Sequence, residues 1–268
     1  GPPGVGKTSM AKYGISQCLT NAAGESRPFA FIGVGGSANG STFEGHNYTY
    51  VGATWGRIVS ILMDTKISNP IIFIDEVDKI SRTEHGRELI GILTHLVDPT
   101  QNSAFHDKYF SGIDIDLSKV LFVFSYNDVS MIDRILLDRI HRVRFDSLDE
   151  DEKVEIVKTQ MLPELLKKFN LVDSIVIPDE IIRFLVQEYT CEAGVRKLKE
   201  ILYEIVSELN LSTLQQKQHY TDGEKIVLTK ELLKDDLLKE RHTVREKMAH
   251  DAPLVGVING MWANAMGQ

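Results

Sequence analysis

The eight residues Gly1–Thr8, GPPGVGKT, satisfy every position of the phosphate-loop pattern G-x-x-x-x-G-K-T. Such a loop binds a nucleotide because its glycines let backbone amides turn inward on the phosphates, here along Gly1, Pro2, Pro3, Gly4, Val5 and Gly6. Lys7 brings a cation to the β- and γ-phosphates, and the Thr8 hydroxyl can ligate magnesium at the start of the following helix. Further along, IIFIDEVD ends an apolar run in two acids. At the carboxyl end of a buried strand, Asp75 can hold the magnesium or its water, and Glu76 can polarise the attacking water as a general base. A GTPase would carry an N-K-x-D base-reading motif, and the chain has none.

Three more residues have the types and positions this chemistry asks for. Asn127 closes the run LFVFSYND, where a polar side chain can orient the water between sheet and γ-phosphate, although Asn at a strand end is also ordinary turn chemistry. Arg139, in LLDRIHR, is a candidate arginine finger that neutralises charge on a γ-phosphate. It lies too far from its own nucleotide, so this use requires a neighbouring subunit; a surface salt bridge is the competing reading. Arg196, after Gly194 in EAGVRKLKE, opens a helix and could reach back to the phosphates, or be one more solvated helix arginine.

These residues need rigid elements beneath them. KTSMAKYGISQCL reads as a helix, PFAFIGV as a strand, and PIIFIDEVD and KVLFVFSYND as two more, with HRVRF a weaker third in that series. Continuous apolar strands separated by helical patterns predict a parallel sheet buried on both faces, an α/β core. GHNYTYVGATWG is Gly-rich and aromatic, hence a loop, and RIVSILMDTK after it is helical in period. From about Leu148 the pattern is helices only, through DEDEKVEIVKTQMLPELLKKF, PDEIIRFLVQEYT with Pro178 in its first turn, and AGVRKLKEILYEIVSEL. TLQQKQHYTDGEK reads as a polar surface loop, and the final PLVGVINGMWANAMGQ as strand-like.

At 268 residues and 43% hydrophobic content the chain can bury more than one core. Thirty Lys and Arg against 38 Asp and Glu give a formal charge of -8, so no bulk basic signal points to nucleic acid. Cys18 and Cys191 lack metal-ligand or redox spacing and read as free thiols, buried filler in a reducing compartment. No apolar run approaches the roughly 18 residues of a membrane span, which predicts a soluble chain with no membrane partner.

Taken together the motifs resemble those of an AAA+ ATPase. GPPGVGKTS, YTYVGA, NPIIFIDEVDKI, DPTQNS, DIDLSKVLF, LDRIHRV and GVRKL look like the ATPase module of the Lon family of ATP-dependent proteases, a similarity running from Gly1 to about Leu238. VDPTQNSAFHDKYF resembles an insertion specific to that family, and VGVINGMWANAMG the entry strand of its peptidase domain. The resemblance implies a P-loop AAA+ core over 1–147 with its first strand missing, a small all-α lid over 148–240, and a linker and peptidase start over 241–268. It implies ATP and Mg2+ as cofactors, Lys7 and Thr8 as their ligands, Asp75 and Glu76 as the Walker B pair, Asn127 as sensor 1, Arg139 as the finger acting in trans and Arg196 as sensor 2. Tyr50 and Val51 would form a pore loop, an aromatic-aliphatic pair that grips unfolded polypeptide by side-chain bulk.

The same resemblance implies a homo-oligomeric ring, a hexamer, acting on unfolded or misfolded proteins in quality control, in a cytoplasm or a mitochondrial matrix. A remodelling ATPase without peptidase would share every motor motif; a nucleic-acid motor would be expected to show basic pore residues. The Ser-Lys dyad of a Lon-type serine protease is absent, since no serine stands in a Gly-Pro-Ser-Ala-Gly-like context. Trp55 replaces a frequent proline, which bears on the loop's shape, and Leu137 replaces an additional arginine before Asp138-Arg139, which would weaken sensing between subunits. Glu84–Glu88, EHGRE, departs enough that no second pore loop is assigned. The phosphate loop should follow a strand, and none precedes Gly1, so the expectation is an internal fragment that folds poorly when expressed alone.

Overall fold

The computed structural model describes residues 1–20, 23–35, 40–80, 83–171, 174–215, 225–239, 241–244 and 255–256. Chain contacts divide it into two units, one of Gly1 with Gly6–Phe145, the other of Pro2–Val5 with Asp146–Gln268. In the first, α1 runs through Lys7–Ser9, Met10–Ile15 with π-type bonding, and Ser16–Cys18. It is followed by β1 (Phe29–Gly33), α2 (Gly40–Glu44), α3 (Arg57–Thr65), β2 (Ile71–Asp75), α4 (Glu84–Val97), a short antiparallel pair β3 (Phe105–His106) and β4 (Asp114–Ile115), β5 (Leu121–Phe124) and α5 (Arg134–Leu137).

The sheet is parallel in the order β1-β2-β5, with Ile32 opposite Ile74 and Ile74 opposite Phe124. β2 is central, and Ile71, Ile72, Phe73 and Ile74 are all buried. That is why its sequence is a continuous apolar run: both faces are covered, so no position can be polar. On one face Ile72 and Ile74 pack with Phe43, Ile58, Leu89 and Leu93 from the helices. The run turns polar only where β2 leaves the core, and the two acids begin there.

β5 differs from β2 in a way that matters. Its residues are only half-buried, and among the described residues it pairs with β2 alone. Beside it lies a cavity of about 500 Å³, lined by Leu121 and Val123 of β5 and by Ile140, Val143 and Phe145 among others. The expected strand HRVRF is not formed: among the described residues, 141–145 join no strand pairing, and His141, Arg142, Val143 and Phe145 line that cavity instead. An apolar edge left open costs stability, because strand N–H and C=O groups and the side chains beside them stay unpaired. Extending the chain ahead of Gly1 with an apolar segment of strand length should therefore raise its melting temperature by several degrees, as each ~1 kcal/mol of stability shifts the melting point of a domain this size by roughly 2–8 °C. Calorimetry with and without the extension checks this; an unchanged melting temperature would mean that the cavity does not take a strand.

The second unit carries α6 (Glu150–Ile156, Val157–Met161 and Leu162–Lys168), α7 (Asp179–Leu185 and Val186–Thr190), α8 (Arg196–Leu214) and α9 (Lys230–Leu232 and Leu233–Leu237). Asp149 and Glu152 close a reciprocal capping box on α6. Pro178 is the N-cap of α7 and stands just before its first turn. α8 places Leu198, Ile201, Leu202, Ile205, Val206 and Leu209 on one buried stripe at helical spacing, packed with Val157, Ile182, Leu185 and Leu233. The unit is not helical throughout: β6 (Ile175–Val176) and β7 (Ile226–Val227) form a short parallel pair. Two-residue strands have too little alternation to stand out from helix-flanking apolar residues in sequence.

Cys18 is exposed rather than buried filler, and Cys191, a free thiol too, is half-buried in the left-handed turn that ends α7. Among the described residues no helix is long and apolar enough to cross a membrane. Of the final strand-like stretch only Val255 and Gly256 are described, and most of TLQQKQHYTDGEK also lies outside the described residues.

Candidate functional site

In open α/β sheets, ligands bind beyond the carboxyl ends of the strands. Here β2 delivers Asp75 and Glu76 to that end, and β5 delivers Asn127. Glu76 takes a left-handed backbone, φ 62° and ψ 36°, which a residue with a Cβ adopts only at a cost of order 1–3 kcal/mol. The turn is held because the Asp75 carboxylate accepts the Glu76 N–H at 2.9 Å and the Val77 N–H donates to the Ser125 carbonyl at 3.2 Å. The Glu76 side chain is partly exposed and ion-paired with Lys79 one turn on, a contact that holds the Lys79 ammonium above its ordinary value. Gly35, past the end of β1, makes room for it: a Cβ there would stand 2.0 Å from Glu76 Oε2.

Lys7 reaches the same place from the start of α1. Its Nζ donates to the carbonyls of Gly1 at 2.8 Å and Tyr126 at 3.1 Å, and to Asn127 Oδ1 at 2.5 Å. Partial burial pushes the Lys7 ammonium below the ordinary lysine value, and the nearby Asp75 and Asp78 carboxylates pull it back up. A cation so placed, with neutral oxygens as direct partners, can exchange those contacts for phosphate oxygens at little cost. Gly4 and Gly6, with φ of 78° and 87°, give the loop the left-handed turns that aim its amides inward. Thr8, in the first turn of α1, is half-buried.

Within the second unit, the Val195 N–H donates to the Gly4 carbonyl at 3.1 Å. A Cβ on Gly194 would lie 2.3 Å from that carbonyl, so only glycine admits the approach. Arg196 opens α8 beside it, with its Cβ 3.3 Å from where a Cβ on Gly4 would be.

Two expected site residues stand elsewhere in the first unit. Arg139 is paired with Asp98 at 3.4 Å and also donates to the Ile135 carbonyl at 3.3 Å. Asp98 is held below the usual carboxylate range first by hydrogen bonds from the Thr100 hydroxyl and backbone, with a smaller effect of Arg139. Tyr50 is 67% exposed and Val51 fully so, on a turn where Gly52 has φ 82°.

Residues 1–148 match the family model of the ATPase family associated with various cellular activities (AAA). The chain belongs to the AAA ATPase family. A second match, over residues 170–232, is to the Lon protease AAA+ ATPase lid domain. A Lon protease homolog of Acanthamoeba polyphaga mimivirus is 33% identical over the whole chain, which covers 30% of that relative. The Lon protease of Campylobacter concisus is 37% identical, again over the whole chain and 32% of its own length. The mitochondrial Lon protease homolog of Yarrowia lipolytica is 37% identical over 92% of the chain and 20% of its own length. The chain thus spans about a third or less of the curated relatives it matches. It is an ATP-hydrolysing AAA module, an α/β core followed by a helical lid of the Lon type.

Around the Tyr50–Val51 tip the AAA module contains supports that sequence reading did not single out. The loop is closed at its base by the His46 N–H on the Thr54 carbonyl at 3.0 Å. Buried Asp107 accepts the Gly56 N–H at 2.8 Å and the Tyr109 N–H at 2.9 Å, tying the loop to the segment after β3. Trp55 stacks on Phe110 and meets Tyr109 edge-on, and its indole N–H donates to Ser60 at 3.1 Å. So the departure at Trp55 gives the base an aromatic clamp, and the insertion VDPTQNSAFHDKYF supplies the other half of it. The signal available was the pairing of a tryptophan in one loop with adjacent aromatics in another, which carries no spacing rule.

Proposed function

We propose that this ATPase is the motor of an ATP-dependent protease of the Lon type, which unfolds protein substrates and threads them toward a peptidase borne elsewhere on the parent polypeptide. In this reading the core is 1–147, the lid 148–240, and 241–268 leads into the peptidase. The observation that carries it is the exposed Tyr50–Val51 tip on a braced loop of the α/β unit that also gathers Lys7, Asp75, Glu76 and Asn127. A tip that offers bulk and no charge suits a polypeptide of any sequence, and the net charge of -8 does not suit nucleic acid.

The chemistry follows from the residues present. The amides of Gly1–Gly6 and the Lys7 cation bind and orient the triphosphate. Thr8 and Asp75 offer a hydroxyl and a carboxylate, hard oxygen donors of the kind magnesium takes alongside phosphates and water, and so these two would hold it. Bound there, it would neutralise charge on the phosphate oxygens. Glu76 accepts the proton of the attacking water while Asn127 fixes its position, and Arg196 reads the phosphates from the lid. Arg139 leaves Asp98 to stabilise the transferring phosphoryl group of a neighbouring subunit in a homo-oligomeric ring, a hexamer. Closure of the ring cycle then moves Tyr50 and Val51 with their gripped chain.

Incubating the full-length parent protein with an unfolded protein substrate tests this. Peptide release is expected with Mg-ATP and not with a non-hydrolysable analogue. ATP-driven unfolding without peptide release would mean a remodelling ATPase instead, and ATPase stimulated by DNA but not by protein would mean a nucleic-acid motor.

A further inference from the structure

Asp78 stands two residues past Glu76, in the 3-10 turn Val77–Lys79, where neither the phosphate chemistry nor the acid pair calls for it. One carboxylate oxygen, Oδ2, accepts the backbone N–H groups of both Asn127 and Asp128, each at 3.2 Å. The other, Oδ1, is buried without a hydrogen-bond partner. Leaving a buried carboxylate oxygen unpaired is unfavourable, so the contact that the other oxygen makes is where this side chain serves the fold or the site. What it makes is a clamp on the third and fourth residues after the end of β5, Asn127 and Asp128. Asn127 in turn meets Lys7 through its side chain at 2.5 Å.

Without this clamp Asn127 would sit on an exposed loop whose backbone N–H has no other acceptor among the described residues. The Asn127 carbonyl and side chain meet the Gly1 ammonium and Lys7, the Val77 N–H holds Ser125 two residues earlier, and beyond Asn127 the restraints are local: Asp128 accepts from Ser130, and Val129–Met131 is a short turn. These local contacts fix the loop's own shape but do not tie Asn127 itself to the turn after β2. Asp78 does, because it belongs to the turn that follows Glu76. The general base and the water-orienting amide are therefore registered against each other through one carboxylate, across two strands.

We propose that Asp78 is a positioning residue for ATP hydrolysis: by accepting the N–H groups of Asn127 and Asp128 it sets the Asn127 side chain at the correct place relative to Glu76. This rests on the reading of Asn127 as the residue that orients the water. Placement errors of about 1 Å in such a constellation are enough to cost on the order of 100-fold in rate, so the effect should fall on kcat and leave nucleotide affinity nearly unchanged.

The test is steady-state ATPase and nucleotide binding on the full-length protein carrying Asp78→Ala, Asp78→Asn, Asp78→Glu, Asn127→Ala, or Asp78→Ala with Asn127→Ala. Asn keeps an acceptor oxygen in the same place without the charge; Glu keeps the charge but displaces it by a methylene. Asp78→Asn should retain kcat within about threefold, and Asp78→Ala and Asp78→Glu should lose at least tenfold, with KM and analogue affinity within about threefold. The double variant should be no slower than Asn127→Ala alone, since a clamp has nothing to position once the side chain is gone. The reverse pattern, Glu active and Asn inactive, would overturn the proposal in favour of an electrostatic role on Lys7. Multiplying losses in the double variant would overturn it as well. If Asn127→Ala leaves kcat unchanged, the underlying reading of Asn127 fails; if Asn127→Ala is slow while Asp78→Glu and Asp78→Ala are not, only the clamp fails. Should Asp78→Ala not fold, the Asn and Glu pair decides alone.

Discussion

Replacing Glu76 by Gln in the full-length protein is expected to lower ATP turnover by roughly 10²–10⁴-fold, the usual contribution of a positioned general base, while ATP still binds with near-normal affinity. The split follows from geometry. The groups aimed at phosphates are Lys7 and the loop amides, and Gln at 76 touches none of them; what it removes is the carboxylate that takes the proton. Gln is close to isosteric and keeps an oxygen for Lys79, so the left-handed turn at φ 62° should survive. A second arm moves the carboxylate without deleting it. Gly35→Ala would put a Cβ 2.0 Å from Glu76 Oε2, and since that oxygen is the end of a mobile side chain, the carboxylate swings away and the fold stands. Turnover should then fall with melting temperature unchanged. Single-turnover ATPase alongside binding of a fluorescent nucleotide checks both arms; undiminished turnover in Glu76→Gln would sink the assignment of the base.

How far the sequence alone reached depended on whether a residue's role is local. The Lys7 loop was legible because four positions are fixed in residue type, at set spacing within eight consecutive residues, by one phosphate-binding backbone. β2 was legible because burial on both faces leaves a short, largely β-branched apolar run bounded by Pro70 and two acids, and α8 because its apolar stripe keeps helical period over 19 residues. What escaped was relational. HRVRF has strand-like composition, yet a strand needs a partner edge, and residues 141–145 have none among those described. β6 and β7 were missed for the opposite reason: they have partners 51 residues apart and almost no pattern of their own, as the register Ile175 to Ile226 makes plain. The brace of Asp107, Trp55 and Phe110, and the clamp of Asp78, belong to the same class, since each joins loops whose proximity only the sheet order creates. Resemblance to a family supplied the proposed roles of Tyr50 and Arg139, but not Asp98 as the residue that pairs with Arg139 in the same chain.

That distinction between local and relational sites bears on the loop tip, where the second large effect is expected. Tyr50→Ala in the full-length protein should reduce ATP-dependent degradation of a folded protein by more than tenfold, with basal ATPase retained. Tyr50 makes no contact that the core depends on: it is 67% exposed, its N–H closes a turn onto the Asn47 carbonyl, and its own carbonyl accepts from Ala53, both backbone contacts that Ala preserves. The stability change should accordingly stay within about 0.5 kcal/mol, as for surface substitutions away from special features. What Ala removes is aromatic area at a position where neighbouring Val51 is fully exposed. Leaving such a pair in water brings the free chain no burial, at ~25 cal/mol per Å² of apolar surface, so its value has to come from what it contacts in action. Tyr50→Phe should therefore keep most of the activity, since bulk and not the hydroxyl does the gripping, and Trp55→Ala should show an intermediate loss by loosening the base on which the tip moves. Degradation of an already unfolded substrate should suffer least, because less pulling force is required. Unimpaired degradation of a folded substrate by Tyr50→Ala would remove the gripping role, and a parallel loss of basal ATPase would instead make Tyr50 part of the nucleotide site.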